Sequence, residues 1–312
     1  MATTELIMLI GIPASGKTTY ATNLATGGGY IRLSSDEVRR EMFGDGGYER
    51  EEQKEVFARL EDMMLYSLRS GQNVIYDATN MNRKNRMKFL KKVPDDVRKV
   101  AVLFVTPIGV AMRRNRMREY TVPNDVYGKM LRSFTPPALY EGFDEIEVKW
   151  YDGEFDINPY DDWARLCAMS HDNKHHSATI GQHMLNARNY FGDNFNHGTY
   201  HDYLCQVAAQ WHDIGKPLVK SFKDKKGNFT QDAKFYQHHN VGSYIFLLIA
   251  NKYMRHMSDE DLLYISDLIY WHMHPLMSWA ESAKAEERDK KLIGEEMYDD
   301  IMHIHIADLA AH

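Results

Sequence analysis

Two stretches of this chain carry residue types at spacings that do chemistry. In "GIPASGKTTY", Gly11, Gly16, Lys17 and Thr18 fit the pattern G-x-x-x-x-G-K-[ST], directly after the apolar run "ELIMLIG". Glycines at those places let backbone N–H groups turn toward the phosphates of a nucleotide. Lys17 is expected to reach the β- and γ-phosphates and Thr18 to help hold Mg²⁺, with Ser15 and Thr19 completing the nucleotide-binding set. In "AAQWHDIGKP", His212 and Asp213 stand side by side in an apolar helical setting, with Lys216 one turn on. A neutral imidazole nitrogen beside a carboxylate that can bridge two cations is metal-binding chemistry.

Each stretch has companions. "SSDEVRREMFG" offers Asp36 to accept a proton from an attacking hydroxyl and Arg39, three residues on, to bind a substrate phosphate. "VIYDATNMNRKNR" places Asp77 at the end of a β-rich run as a metal or water ligand. Residues 83–118 hold 12 Lys+Arg against Asp95 and Asp96 alone, and "MRRNRMREYTVP" packs four arginines into six residues. Arg114 and Arg118, one helical turn apart, read as a lid that closes on phosphates. Around His212-Asp213 stand His183 in "TIGQHMLNA", His238 or His239 in "YQHHNVGSY", His272 or His274 in "LIYWHMHP", and Asp308 in "HIHIADLAAH". His171, His175 and His176 either line a cleft or lie in a polar loop. His201 and His256 read as surface or core residues, and His303 and His305 as packing beside Asp308.

The elements that must position these groups divide the chain. "ELIMLIG", "YIRLS", "NVIYD" and "KVAVLFVT" read as strands alternating with helices, which implies a mostly parallel α/β sheet. Ser35 is a candidate N-cap, and a long helix closes at Gly71. After "VKWYDGEFDINPYDDW" the β-rich runs nearly vanish. Residues 178–191, 201–212, 238–254, 258–272 and 296–311 read as helices, with "SFKDKKGNFT" a small hairpin or loop. The boundary falls between Trp150 and Asp162, giving domains at 1–152 and 160–312. Composition divides there too. All 15 histidines lie from His171 onward. Residues 1–150 hold 23 Lys+Arg against 20 Asp+Glu, and the rest 15 against 24. A basic half that meets a polyanion and an acidic, His-rich half that holds cations would split this way. No apolar run approaches the roughly 20 residues of a membrane span. The N-terminus lacks a basic segment and cleavage site, and Cys167 and Cys205 make no disulfide framework. The expected home is a reducing cytoplasm.

On "GIPASGKT", the Asp-x-x-Arg of "SSDEVRRE", "DATN", "RRNRMR" and "VPNDVYGKMLRSF", residues 6–148 resemble the 5′-kinase domain of phage and bacterial polynucleotide kinases. The resemblance implies ATP and Mg²⁺, Asp36 activating a 5′-hydroxyl, Arg39 on the neighbouring phosphate, and Arg114 and Arg118 as the lid. The order H…HD…H…H…D resembles the all-helical HD superfamily of metal-dependent phosphohydrolases, from about Asp162 to His312. That resemblance implies one metal on His183, His212, Asp213 and Asp308, and a second on His238 and His272 with Asp213 bridging. His238 stands four residues before Gly242, as in that family. Lys216 would bind substrate phosphate. Mn²⁺, Fe²⁺, Co²⁺, Ni²⁺, Zn²⁺ and Mg²⁺ all suit such ligands. Together the two imply a bacterial or phage enzyme that heals RNA or DNA ends for a ligase, phosphorylating 5′-hydroxyls and removing 2′,3′-cyclic, 2′- or 3′-phosphates. Two rivals stand: a nucleoside or metabolite kinase fused to a nucleotidase, and a nucleotide-sensing regulatory module.

Overall fold

The structure is a computed structural model that describes residues 4–44, 46, 49–155, 165, 168–172 and 178–311. His175, His176, Cys167 and much of the expected linker lie outside the described residues. The chain divides into two compact units, Met1–Gly128 with Pro137–Gly153, and Lys129–Pro136 with Glu154–His312. Residues 129–136 thus group with the second unit, where the Asn240 side chain donates to the Phe134 carbonyl at 2.7 Å and Tyr244 meets the Phe134 ring edge-on.

In the first unit, β1 (Glu5–Ile10), β2 (Tyr30–Ser34), β3 (Asn73–Asp77), β4 (Arg98–Val105) and β5 (Glu145–Trp150) form one sheet in the order β2-β3-β1-β4-β5. Every pairing is parallel. Helices cover a parallel sheet on both faces, so β1 and β4 read as near-continuous apolar runs. β5 went unread in the sequence because it is an edge strand: only Val148 of "EIEVKW" is buried. On one face Ile7, Leu9, Ile75, Val100, Val102 and Phe104 pack with Ala21 of α1 (Lys17–Thr26). Strand β2 runs straight into α2 (Ser35–Phe43), and Ser34 rather than Ser35 is the cap, accepting from the Glu37 N–H. Helix α3 spans Arg50–Arg69, α4 Arg83–Leu90, α5 Ile108–Asn115 and α6 Asn124–Ser133.

The basic stretch is not one solvated surface. Arg86, in α4, is fully buried, and its guanidinium donates to both oxygens of Glu141 at 2.8 and 2.6 Å. Arg83 meets the same carboxylate at 3.4 Å. Removing one partner of a buried ion pair strands the other charge, so Glu141→Ala is expected to cost about 3–5 kcal/mol. Chemical denaturation measures this, and a loss under about 1 kcal/mol would class the pair with surface bridges.

The second unit is helical, but the expected all-α architecture is interrupted where the sequence left a small hairpin or loop. Among its described residues, β6 (Ser221–Lys223) and β7 (Phe229–Lys234) form an antiparallel hairpin. Its turn is made by Asp224, whose carboxylate accepts from the backbone of Lys226 and Asn228, and by Gly227 at φ 88°. The helices are α7 (Ile180–Asn194), α8 (Tyr200–Trp211), the one-turn α9 (Lys216–Val219), α10 (His238–Tyr253), α11 (Asp259–Trp271), α12 (Ala283–Ile293) and α13 (Glu295–Ala310). Thr179, Thr199 and Ser258 cap α7, α8 and α11 through their side-chain oxygens. Among the described residues no helix is long and apolar enough to cross a membrane.

Candidate active sites

Strand β1 ends at Ile10 and the chain turns through residues 11–16 into α1. Ala14 (φ 58°) and Gly16 (φ 108°) take left-handed conformations, of the kind from which anion-binding turns of successive N–H groups are built. Gly11 is required by close approach, since a Cβ there would lie 2.9 Å from Ser15 Oγ and 3.1 Å from Phe104 Cβ. The loop is tied to β3's exit: Gly11 N–H donates to Thr79 O at 3.0 Å, and the Asn80 side chain donates to Leu9 O at 2.7 Å. The "DATN" stretch therefore braces the loop.

Lys17 is buried and its ammonium donates to the Gly11 and Ile12 carbonyls at 2.8 and 2.7 Å. Burial lowers its pKa to about 8, against the opposing pull of Asp77 and Asp36. A phosphate would raise it again. Between those values nucleotide binding takes up a proton, so affinity should fall as pH rises through 8, by at most about tenfold per pH unit. Calorimetry near pH 9 in buffers of different ionisation heat reads this directly; heats independent of buffer would contradict it.

Asp36 sits in the first turn of α2 with its side chain 59% exposed. Arg39 Nη1 donates to Asp36 Oδ1 at 2.8 Å, and Arg118 Nη2 lies 3.6 Å from Oδ2. Asp77 is buried and accepts from Arg32 at 3.0 Å, a partner not read from the sequence. Thr18 and Thr19 are exposed at the start of α1. Arg114 and Arg118 do not share a helical face. Helix α5 ends at Asn115, whose side chain binds the Val122 N–H and carbonyl at 3.0 and 2.7 Å and folds residues 116–122 into a loop. Arg118 turns to Asp36 on that loop, while the Arg114 guanidinium lies over the Tyr151 ring.

In the second unit six residues converge. His183 comes from α7, His212 and Asp213 follow the end of α8, His238 opens α10, His272 follows α11, and Asp308 lies in the last turn of α13. His183, His212, Asp213 and Asp308 each present an atom within 4.8 Å of the others, and so do Asp213, His238 and His272. Gly215 makes this approach feasible: a Cβ there would lie 2.1 Å from His238 O and 2.6 Å from Gly242 N.

The hydrogen bonds define what this cluster fits. The Nδ1 atoms of His183, His212, His238 and His272 face the carbonyls of Ala311, Ala209, Phe235 and Ile269 at 3.4, 2.7, 2.9 and 2.7 Å. A carbonyl only accepts, so each Nδ1 is the N–H donor and each neutral ring turns a lone pair inward on Nε2. Yet His183 and His212 bring their Nε2 atoms to 3.2 Å, as do His238 and His272. Facing lone pairs repel unless a cation lies between them. Asp213 spans both pairs, with Oδ2 at 3.3 Å from His183 and His212 and Oδ1 at 3.1 Å from His238 and 3.8 Å from His272. Asp308 Oδ1 adds 2.9 and 3.4 Å contacts to His183 and His212.

The electrostatics agree. Burial opposes charge on His212, but Asp213 and Asp308 outweigh it and raise its pKa to about 10. That extra proton would sit on Nε2, where a metal ion would otherwise bind. His272 is pushed well below the usual range by burial and by His212 and His238. Burial would raise Asp213 and Asp308, but neighbouring cationic groups, Lys216 first for Asp213 and His212 first for Asp308, hold both well below the carboxylate range. The donor set of imidazole nitrogens and ionised carboxylates suits a pair of divalent cations.

His239 and His274 are turned elsewhere: His239 packs on Tyr270 and His274 on Trp271. His303 stacks on Phe195, ring centroids 4.4 Å apart. His201 binds Asp300 at 2.8 Å beside Cys205 and Tyr264, which makes a third group of converging side chains, here His, Cys and Asp. Burial first, and then the Asp300 carboxylate, push the Cys205 thiol up. Lys216 Nζ meets Asp213 Oδ2 at 2.5 Å and His171 Nε2 at 3.3 Å. Burial, and then Lys216, lower His171 to about 4.

Fold and loop together make the first unit a P-loop α/β domain, and residues 6–137 match the family described as AAA domain. A protein of Acanthamoeba polyphaga mimivirus named as a bifunctional polynucleotide phosphatase/kinase is 29% identical over 175 residues, 52% of this chain and 37% of that protein. One of Autographa californica nuclear polyhedrosis virus named as a bifunctional polynucleotide kinase/RNA ligase is 29% identical over 94 residues, 26% of this chain and 13% of that protein. The chain thus spans well under half the length of these curated relatives. Among solved structures, the Pnkp1/Rnl/Hen1 RNA repair complex holds a similar chain at 22% identity and TM-score 0.38, covering 42% of this chain and 43% of that one.

Proposed function

We propose that the chain heals nucleic-acid ends, with an ATP-dependent 5′-hydroxyl kinase in the first unit and an HD-type metal-dependent phosphohydrolase in the second. The observation that carries the second activity is the pair of facing Nε2 couples spanned by Asp213. His183, His212, Asp213 and Asp308 would hold one ion, and His238 and His272 with Asp213 the other. Such ions lower the pKa of bound water and neutralise phosphoryl oxygens. The protein's part is to fix each ring's tautomer through its Nδ1 donation, to keep both carboxylates ionised, and to offer the Lys216 ammonium to a phosphate oxygen. In the first unit, Lys17 leaves the Gly11 and Ile12 carbonyls for the nucleotide's phosphates. Asp36 accepts the hydroxyl proton, and Arg39 and Arg118 stand beside it to neutralise phosphate. The names of the two viral relatives, which join a polynucleotide kinase to a phosphatase and to an RNA ligase, support this reading.

A small-molecule kinase fused to a nucleotidase is favoured by one observation. Arg83 and Arg86, which contribute to the basic half expected to meet a polyanion, turn inward to Glu141. Kinetics with adenosine, a nucleoside 3′-phosphate and a short oligonucleotide separate the two readings. Asp36→Asn should lower all rates by about 10²–10⁴, the usual general-base contribution. Arg39→Ala should impair only the acceptors that carry a phosphate beside the 5′-hydroxyl. Adenosine as good as the oligonucleotide, with Arg39→Ala indifferent to the acceptor, would install the small-molecule reading.

A further inference from the structure

We infer that His171 is a positioning residue, which holds the Lys216 ammonium at the Asp213 cluster for a substrate phosphate. This rests on the phosphohydrolase reading of that cluster. His171 stands outside the helices, ahead of α7, yet it is fully buried, with its ring edge-on to His183 at 5.5 Å between centroids. The backbone on both sides is clamped. Ser170 pairs with Thr179, Ile180 N–H donates to Met169 O at 2.9 Å, and Ala233 N–H donates to Asp172 O at 2.9 Å. The Lys220 ammonium binds Ser170 O and the Asp172 carboxylate, each at 2.6 Å. Asp172 is held at φ 48°, a left-handed conformation that favours glycine and that these bonds stabilise.

So fixed, the ring presents its second nitrogen toward Lys216. Nδ1 donates to Ala178 O at 3.0 Å, which leaves Nε2 an acceptor. The donor it meets is Lys216 Nζ at 3.3 Å. An ammonium has three N–H donors and Asp213 and His171 take two, leaving a third for a phosphate oxygen. Without His171, the ammonium keeps the 2.5 Å bond to Asp213, a carboxylate that metal ions would also claim, and its place over the Phe235 ring, 5.6 Å from the centroid. His171 itself belongs to neither group of converging ligands.

The test uses the full chain loaded with Mn²⁺, and inorganic phosphate as the probe. His171→Phe keeps a ring in the space and removes the acceptor, and His171→Gln restores one. Calorimetry should show phosphate affinity reduced by about tenfold or more in His171→Phe, since bonds to charged groups are the stronger ones, and partly recovered in His171→Gln. Bound Mn²⁺ should stay at the wild-type level. Adding His171→Phe to Lys216→Ala should cost nothing further, because residues acting through one another are not additive. Additive losses, or loss of Mn²⁺ in His171→Phe, would overturn the assignment, as would a wild-type protein that binds no phosphate. Hydrolysis of bis-p-nitrophenyl phosphate is followed in parallel. Phosphate binding without hydrolysis sinks the phosphohydrolase reading, while the binding cycle still decides on His171.

Discussion

Lys17→Ala is expected to lower the rate of phosphoryl transfer from ATP by at least about 10²–10³, the usual effect of removing one preorganised donor from developing charge. The substitution also takes a poorly solvated ammonium out of the loop, so the fold should not suffer. The Gly11 and Ile12 carbonyls lose only the partner that nucleotide binding would take from them. Hydrolysis of a phosphoester should be untouched, because every residue assigned to it lies in the other unit. Steady-state rates of both reactions on one preparation check this. Equal loss of both would mean that the two units do not work separately.

Asp213→Asn should give the converse result. The residue offers one oxygen to each histidine couple, and an amide supplies neither the charge nor two acceptors. Substitutions behind a metal ligand already cost about 10–100-fold in metal affinity or activity, and loss of the shared ligand should exceed the upper figure. Metal analysis after dialysis should show fewer ions per chain than in the wild type, while transfer from ATP persists. Retention of full metal content and hydrolysis would remove Asp213 from the centre of the account.

The parts legible in the sequence were those written locally. The glycines and lysine of the loop follow an apolar strand and open a helix, and the structure keeps that order. The residues of the Asp213 cluster were named in the sequence through the order H…HD…H…H…D, which resembles that of a known superfamily, and not through helical periodicity: the helix that His238 opens is buried almost all round. Strand β5 was not visible, since an edge strand with one buried residue has no apolar run. Glu141 was not visible either. Its partners are more than fifty residues away and its own neighbours read as a loop, so the inward turn of Arg83 and Arg86 could not be foreseen. Arg118 parted from Arg114 because the Asn115 side chain ends the helix, a tertiary event that helical spacing does not encode. On the residues alone His238 and His239, and His272 and His274, stood as alternatives; the resemblance pointed to His238 and His272, and the packing of His239 on Tyr270 and His274 on Trp271 turns the other two rings elsewhere.

The most direct measurement uses one RNA that carries a 5′-hydroxyl and a 2′,3′-cyclic phosphate, incubated with the pure protein, ATP, Mg²⁺ and Mn²⁺. The expected product is a strand with a 5′-phosphate and a 2′,3′-diol, with Lys17→Ala mending only the 3′ end and Asp213→Asn only the 5′ end. An RNA left unchanged at both ends, under conditions in which adenosine is phosphorylated, would contradict this expectation.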